Sequence, residues 1–387
     1  MNTKIRVCII SGAYPKVNDG IGDYTAKLVN SFNKDNLEVS LITSKDEAIR
    51  KNIEKNNNFR ILPIIKKWNI FALIAILRLI KNERFDIIHL QFPSTKYRRT
   101  VSLCFLPFFI RMFFRDTKTV ITLHEFSISY PINKLRQILL SLGSHKVVVT
   151  DRNELSQLRK FMVNGTKKIV FIPIGSNIEV YEYSPKEKES FLKKSGIHGQ
   201  AKIITFFGFV HPNKGIEYLL KSIRKVIDNG IPVQLVVIAQ LDFANNAYHN
   251  KLKKLMDSLR INESIFITGY TAEQEVSRFL SFSDICVLPF CDGVTLRRGT
   301  LIAALAHGKP VVATKSNRYI PFQLRDKENI YFIPVNDVKG LAKAIELLCA
   351  ENELREKIAA GASLLAKEFS WDKIARAHEM LYQNILG

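Results

Sequence analysis

Cysteine is scarce in this chain, and the scarcity excludes whole classes of protein. There are five in 387 residues: Cys8, Cys104, Cys286, Cys291 and Cys349. An odd number with no metal-ligand spacing excludes a disulfide framework or a zinc module. Cys8 and Cys286 sit in apolar, strand-like runs, as core thiols do, and a reducing, cytoplasmic setting is expected. Long apolar runs are also missing: no stretch reaches the roughly 20 residues that a spanning helix needs. The opening "MNTKIRVCIISGAYP" has too short an apolar run for a signal peptide and reads as a first strand. Repeats and low-complexity tracts are absent. Carboxylates are few, 36 against 57 Lys plus Arg, for a formal net charge of +21. Such an excess favours anionic partners, whether nucleic acid, anionic lipid or phosphorylated substrates. A lysine-rich genome produces the same excess. Nucleic acid is set aside because the chain carries neither an aromatic-and-basic RNA motif nor a recognition helix.

What is present is a rhythm of short apolar runs and amphipathic helical stretches. The first half offers "IRVCIISG" (5–12), "EVSLIT" (38–43), "FRILPI" (59–64), "DIIHLQ" (86–91), "TVITLH" (119–124), "KVVVT" (146–150) and "KIVFIPIG" (168–175). Near-continuous Val/Ile runs mark strands covered on both faces, hence parallel sheets. The polar stretch 181–200 breaks the rhythm as a linker with one short helix. A second series follows: "KIITFFGFV" (202–210), "VQLVVIAQ" (233–240), "SIFITGY" (264–270), "DICVLPF" (284–290), "PVVAT" (310–314) and "IYFIPV" (330–335). The reading is α/β with two doubly wound domains, residues 1–180 and 201–368, and a closing helix in 369–387. Ligands of such sheets bind beyond the carboxyl ends of the strands, so two facing domains would enclose a cleft there.

Four places could carry chemistry. Gly20 and Gly22 lie in a loop read as opening onto a helix from Asp23, where backbone can approach a ligand; the plain alternative is a βα loop with Asp23 as N-cap. His124, followed by Glu125, ends a strand and is a candidate proton carrier or hydrogen-bond donor, or else a satisfied structural histidine. His89, earlier in its strand, reads as buried. Lys214 precedes a helix after a strand and suits a phosphate, or is one surface lysine among many. The richest stretch is "CDGVTLRRGTLIAALAHGKPVVAT" (291–314). Arg297, Arg298, Gly299 and Thr300 stand where a helix should begin, with Thr300 read as its cap. At least one arginine can meet a phosphate bidentately; a solvated pair is the alternative. Ala303, Ala304 and Ala306 keep the helix surface small enough for close approach by backbone or ligand.

Two apolar stretches stand apart. "WNIFALIAILRLI" (68–80) reads as a packed core helix. "RRTVSLCFLPFFIRMFFR" (98–115) suits either a membrane interface or a buried helix pair with snorkelling arginines. Lys66, Lys67, Arg98, Arg99, Arg111 and Arg115 would give that region a basic surface.

Taken in order, "YPKVNDGIGDYTAKL", "FDIIHLQ", "VITLHE", "IPIGSN", "GFVHPNKGIEYLL", "FSDICVLPF", "AALAHGKPVVAT" and "FSWDKIARAHEMLYQ" resemble the GT-B glycosyltransferases of retaining family 4, the group 1 kind, over nearly the whole chain. The resemblance implies a sugar-nucleotide donor, UDP- or GDP-linked, held mainly by the C-terminal domain. It implies an acceptor, a glycan or lipid-diphosphate-linked glycan, held mainly by the N-terminal domain, with no metal and no separate cofactor. Lys214 matches the phosphate-binding lysine, Gly20 and Gly22 the glycine loop near the donor phosphates, and His124 the histidine near the transferred sugar. Gly208, Gly269, Thr295 and Ala303 fall in the nucleotide and sugar pocket, and Asp23, Tyr24 and Glu125 on the acceptor side. The closing helix would cross back to the N-terminal domain. Departures are as informative. The family's two glutamates fall on Thr295 and Ala303, its strand-end arginine on Phe209, and a usually glycine-rich loop reads "IAQLDFANN" (238–246). Either Arg297 and Arg298 take over the diphosphate, or the chain is an inactive sugar- or partner-binding subunit. An active enzyme at the cytoplasmic face of a membrane, in surface polysaccharide or glycoconjugate synthesis, is the expectation.

Overall fold

The computed structural model describes residues 4–14, 19–46, 59–97, 100–126, 129–197, 201–316 and 319–387. The chain divides into two compact units, Met1–Gly175 with Ser370–Gly387, and Ser176–Phe369.

The first unit holds β1 (Ile5–Ile10), β2 (Leu37–Ser44), β3 (Arg60–Ile65), β4 (Ile87–Phe92), β5 (Lys118–Leu123), β6 (Lys146–Val149) and β7 (Ile169–Phe171). They form one sheet in the order β3-β2-β1-β4-β5-β6-β7, every pair parallel. Both faces are covered. Val7 and Ile9 enter one buried cluster, while Cys8 and Ile10 enter the other. This is why β1 reads as an unbroken apolar run rather than an alternating one. Each such aliphatic side chain contributes about 1.5–3 kcal/mol through burial. Cys8 and Cys286 are buried free thiols, and burial pushes the Cys286 thiol up to about 12.

The second unit holds β8 (Lys202–Phe207), β9 (Val233–Ile238), β10 (Ile265–Ile267), β11 (Ile285–Leu288), β12 (Val311–Thr314) and β13 (Tyr331–Ile333). Their order is β10-β9-β8-β11-β12-β13, again all parallel. The helix Pro185–Lys194 opens with a Ser184–Glu187 capping box, and Phe191 packs edge-on to Phe279.

Both units are therefore Rossmann-like, doubly wound sheets. Strand order reverses between β1 and β4 in the first and between β8 and β11 in the second. Crevices form beyond the carboxyl ends of the strands at such reversals.

Several local expectations need correction. The first helix runs Gly20–Ser31, so Gly20 and Gly22 lie in its first turn rather than in a loop before it. Its cap is Asp19, not Asp23: Asp19 accepts from the Ile21 amide at 2.9 Å and from Thr95 Oγ1 at 2.8 Å. The helix Gly299–Ala306 starts after Arg298, with no side-chain cap. Thr300 sits inside it and does not cap it. The helix Ile70–Glu83 is amphipathic rather than enclosed, since Phe71 is exposed. The described part of the stretch 98–115, residues 100–115, gives a 3₁₀ turn, Ser102–Phe105, then a helix, Leu106–Phe113, with Pro107 in its first turn, where proline is tolerated. That helix leaves Phe108, Met112 and Phe113 exposed, so it is not a fully buried pair. Among the described residues, no helix is long and apolar enough to cross a membrane.

Candidate functional site

In the second unit the reversal point gathers two loops, those after β8 and β11. Gly208 follows β8 with φ +141, and a Cβ there would lie 3.1 Å from Thr300 Cγ2. Any side chain at 208 would be strained and would press on the start of the helix Gly299–Ala306. A 3₁₀ turn, Pro212–Lys214, comes next, closed by Gly215 in the left-handed region. A Cβ on Gly215 would sit 1.9 Å from the Pro289 carbonyl oxygen. The loops after β8 and β11 therefore touch through bare backbone. Cys291 N donates to Asn213 O at 3.0 Å across the same junction.

This contact brings Lys214 to the ring of Phe290, its Nζ 4.9 Å from the centroid. Arg298 reaches the same ring, with Cζ at 3.9 Å. Two cations sharing one aromatic ring repel each other. Burial, and then Arg298, lower the Lys214 pKa to about 8. Burial likewise pulls Arg298 below its usual value. The Arg298 side chain is 18% exposed and pairs with Asp292, itself 65% exposed. Arg298 also donates to Gly293 O at 3.3 Å. Arg298 Nε and Thr300 Oγ1 are buried with no hydrogen-bond partner among the described residues. Beside them is the amino end of the helix Gly299–Ala306, whose first amides and dipole favour negative charge. The arrangement can hold a compact, multiply charged anion.

The other pocket residues fare differently. Arg297 is half-buried beside Arg298. Thr295 is half-buried, and its carbonyl accepts from Arg298 N at 3.2 Å. Ala303 must be withdrawn as a pocket residue, because it is 0% exposed and offers a ligand no surface. Its helix packs against the helix Asn352–Ala366; a Cβ on Gly308, just past the helix end, would lie 2.5 Å from Ser363 Oγ. Gly269, at φ +73, follows the edge strand β10, two strands from β8, or about 10 Å at ordinary strand spacing. Phe209 and Tyr270, 82% and 86% exposed, stand at the carboxyl ends of β8 and β10. Phe290, Asp292 and these two aromatics were not expected from the sequence.

In the first unit, β4 and β5 bring Gln91 and His124 together. His124 N donates to Phe92 O at 3.0 Å, and its Nε2 meets Gln91 Oε1 at 3.0 Å. Tyr24 packs edge-on against the imidazole, with centroids 4.8 Å apart, and on its other side meets Trp371 at 5.3 Å. Burial drives the His124 pKa down to about 3, against the pull of Asp19. The ring is thus neutral at physiological pH, able to donate at one nitrogen and accept at the other.

Tyr24 is only 4% exposed. It supports His124 and has no surface for an acceptor, which corrects its expected role. Asp23 is half-buried and Glu125 exposed. Gly22 lies 3.2 Å, by its virtual Cβ, from Ala13 backbone, whereas Gly20 has open space. Only Gly20 leaves its backbone accessible. His89 is fully buried, as its place in the strand suggests. Among the described residues, no three His, Cys, Asp or Glu side chains gather as a metal site would require.

Comparison with known proteins gives matches along the chain. The family model for glycosyl transferases group 1 matches residues 187–364, and that for glycosyltransferase family 4 matches residues 18–180. An uncharacterized glycosyltransferase of Methanocaldococcus jannaschii is 21% identical over 98% of this chain and 98% of its own. A phosphatidyl-myo-inositol mannosyltransferase of Mycobacterium leprae is 24% identical over 56% of this chain and 54% of its own; the match thus spans about half of each. Among crystal structures, Anabaena HepE in complex with UDP superposes with a TM-score of 0.78 at 16% identity, covering 99% of this chain and 100% of that one. A glycosyltransferase from Rickettsia africae superposes with a TM-score of 0.77 at 16% identity, over 99% of each chain.

Proposed function

The chain belongs to the group 1 glycosyltransferases and has their GT-B fold, and from that premise we propose that it moves a sugar from a nucleoside diphosphate to a glycan or lipid-linked glycan, without a metal and with retention. The observation that carries this reading is the convergence of Lys214 and Arg298 on Phe290 beside the start of the helix Gly299–Ala306. A departing diphosphate develops charge as the bond from the anomeric carbon to its phosphate oxygen breaks. Two desolvated cations and a helix start stabilise that charge where a metal otherwise would. The acceptor hydroxyl forms the new bond to the anomeric carbon, and its proton passes to the leaving phosphate oxygen. His124, neutral, accepts a hydrogen bond from a hydroxyl of the transferred sugar. UDP is the first nucleotide to try, since structural neighbours are solved with it; GDP is the second.

The acceptor is proposed to be phosphate-bearing and presented at an anionic membrane surface. Exposed Phe108, Met112 and Phe113 lie on the helix Leu106–Phe113, and Arg111, Arg115, Lys66 and Lys67 are exposed in the same unit. Apolar side chains with neighbouring cations suit an anionic interface. Arg98 and Arg99 lie outside the described residues.

A second reading, a binding subunit without turnover, draws on one feature: Thr295 and Ala303 stand where the family has carboxylates, and neither can hold a ribose as a carboxylate does. Thermal shift against UDP, GDP and their sugars tests both. Ligands stabilise by mass action, so stabilisation together with slow release of nucleoside diphosphate supports transfer. Stabilisation by free sugars alone supports the second reading.

A further inference from the structure

His124 sits at one end of a buried hydrogen-bonded chain that reaches the last helix of the protein. Its Nε2 meets Gln91 Oε1 at 3.0 Å. The amide's other end, Gln91 Nε2, lies 3.3 Å from His89 Nε2. Thr122 Oγ1 is 2.7 Å from that same nitrogen. His89 Nδ1 is 2.6 Å from the hydroxyl of Tyr382, which belongs to the helix Trp371–Leu386. His89, Gln91, Thr122 and Tyr382 are all fully buried, so water does not substitute for a missing partner. His378, on that helix, stacks on His89 with centroids 5.5 Å apart.

An amide has one accepting end and one donating end, so it sets the direction of the whole chain. With its oxygen on His124, the hydrogen of a neutral His124 must sit on Nε2. With its nitrogen on His89, the His89 Nε2 must accept, and Thr122 donates to the same atom. The hydrogen of His89 is then on Nδ1 and goes to Tyr382. If Gln91 turned over, every one of these hydrogens would reverse.

We infer that Gln91, held by His89 and Tyr382, is a positioning residue that fixes His124 as its Nε2–H tautomer and keeps Nδ1 as the ring's hydrogen-bond acceptor. This rests on the reading of His124 as a working residue of the transfer, and it makes the closing helix part of that residue's support. Trp371 adds a second brace from the same helix, through Tyr24. The sequence separates these parts widely, since the entire second unit lies between His124 and Tyr382.

The test is nitrogen-15 NMR of histidine-labelled full-length protein, which needs no ligand, with His124 assigned by its loss in His124→Gln. In the wild type, His124 Nδ1 is expected in the range of an unprotonated nitrogen and Nε2 in that of a protonated one. In Gln91→Leu the two are expected to average toward a mixture of tautomers. Tyr382→Phe, which removes one oxygen and keeps the ring, is expected to shift them in the same direction by less. The reverse tautomer in the wild type would overturn the inference. So would unchanged His124 shifts in both variants, provided circular dichroism shows them folded. The transfer rate is read separately, with kcat expected to fall tenfold or more in Gln91→Leu and the donor KM to stay within twofold. Shifts that move while kcat does not would uphold the network and dismiss the catalytic reading of His124.

Discussion

Asp292 holds the guanidinium of Arg298 that shares the Phe290 ring with Lys214. The pairing means that the proposed phosphate seat already has an anion at one edge. Asp292 is mostly exposed and Arg298 mostly buried, so the carboxylate is the partner that can leave. A diphosphate would take over its hydrogen bonds.

Arg298→Ala should therefore weaken nucleoside-diphosphate binding by the loss of one charge-assisted contact, about 1.5–3 kcal/mol. Calorimetric titration measures this directly. An unchanged affinity would remove Arg298 from the phosphate seat.

Asp292→Asn should act in the opposite direction. Removing a competing, exposed carboxylate should tighten binding about two- to fivefold, the scale of an exposed ion pair, and the gain should shrink at high salt. Weaker binding in this variant would mean that Asp292 orients Arg298 rather than competing with its ligand.

Lys214 gives the seat a pH dependence. Its pKa is lowered to about 8 by burial and by Arg298, so the ammonium is lost as pH rises through 8. Diphosphate affinity should fall above that pH, and binding near pH 8 should take up a proton. Stability moves the other way. The unfolded lysine binds its proton more tightly, so the cost of burying the charge is full below pH 8 and is relieved as pH rises toward the ordinary lysine value. Lys214→Met should thus raise the melting temperature at pH 7 while weakening diphosphate binding. A variant that loses both stability and binding would contradict this account.

The buried histidines predict acid sensitivity. Burial lowers His124 to about 3 and His378 to about 4, and lowers His89 as well. Unfolded histidines take up protons from about pH 6.5 downward, so the first unit should lose stability as pH falls from 6.5 toward 4. The two tryptophans, Trp68 and Trp371, both lie in that unit, so their fluorescence in a urea titration reports it alone. A midpoint that does not move between pH 7 and 5 would count against the buried neutral state.

Much of the fold is legible in the sequence because parallel strands covered on both faces must be apolar throughout. Runs such as "VQLVVI" announce β9 with little ambiguity. The family resemblance rests on the same runs and on the loops between them. The site is less legible, since its decisive contacts are tertiary. Nothing in "CDGV" says that Asp292 turns back onto Arg298. The turn depends on Gly293, whose φ is +83 and whose virtual Cβ would lie 2.4 Å from Ser316 Cα. Asp19 wins the helix cap over Asp23 because Thr95, from another loop, also donates to it. Ala303 reads as pocket lining by counting from "GKP", yet the helix turns that side into the core. Gln91 has no local signal at all: its role follows from β4 and β5 lying side by side.

The most direct measurement is a crystal structure of the protein with UDP, prepared with a chelator present. The account predicts the diphosphate within hydrogen-bonding distance of Lys214 Nζ, the Arg298 guanidinium and the first amides of the helix Gly299–Ala306, with Asp292 displaced from Arg298. UDP bound elsewhere, or bound while Asp292 still holds Arg298, would contradict it.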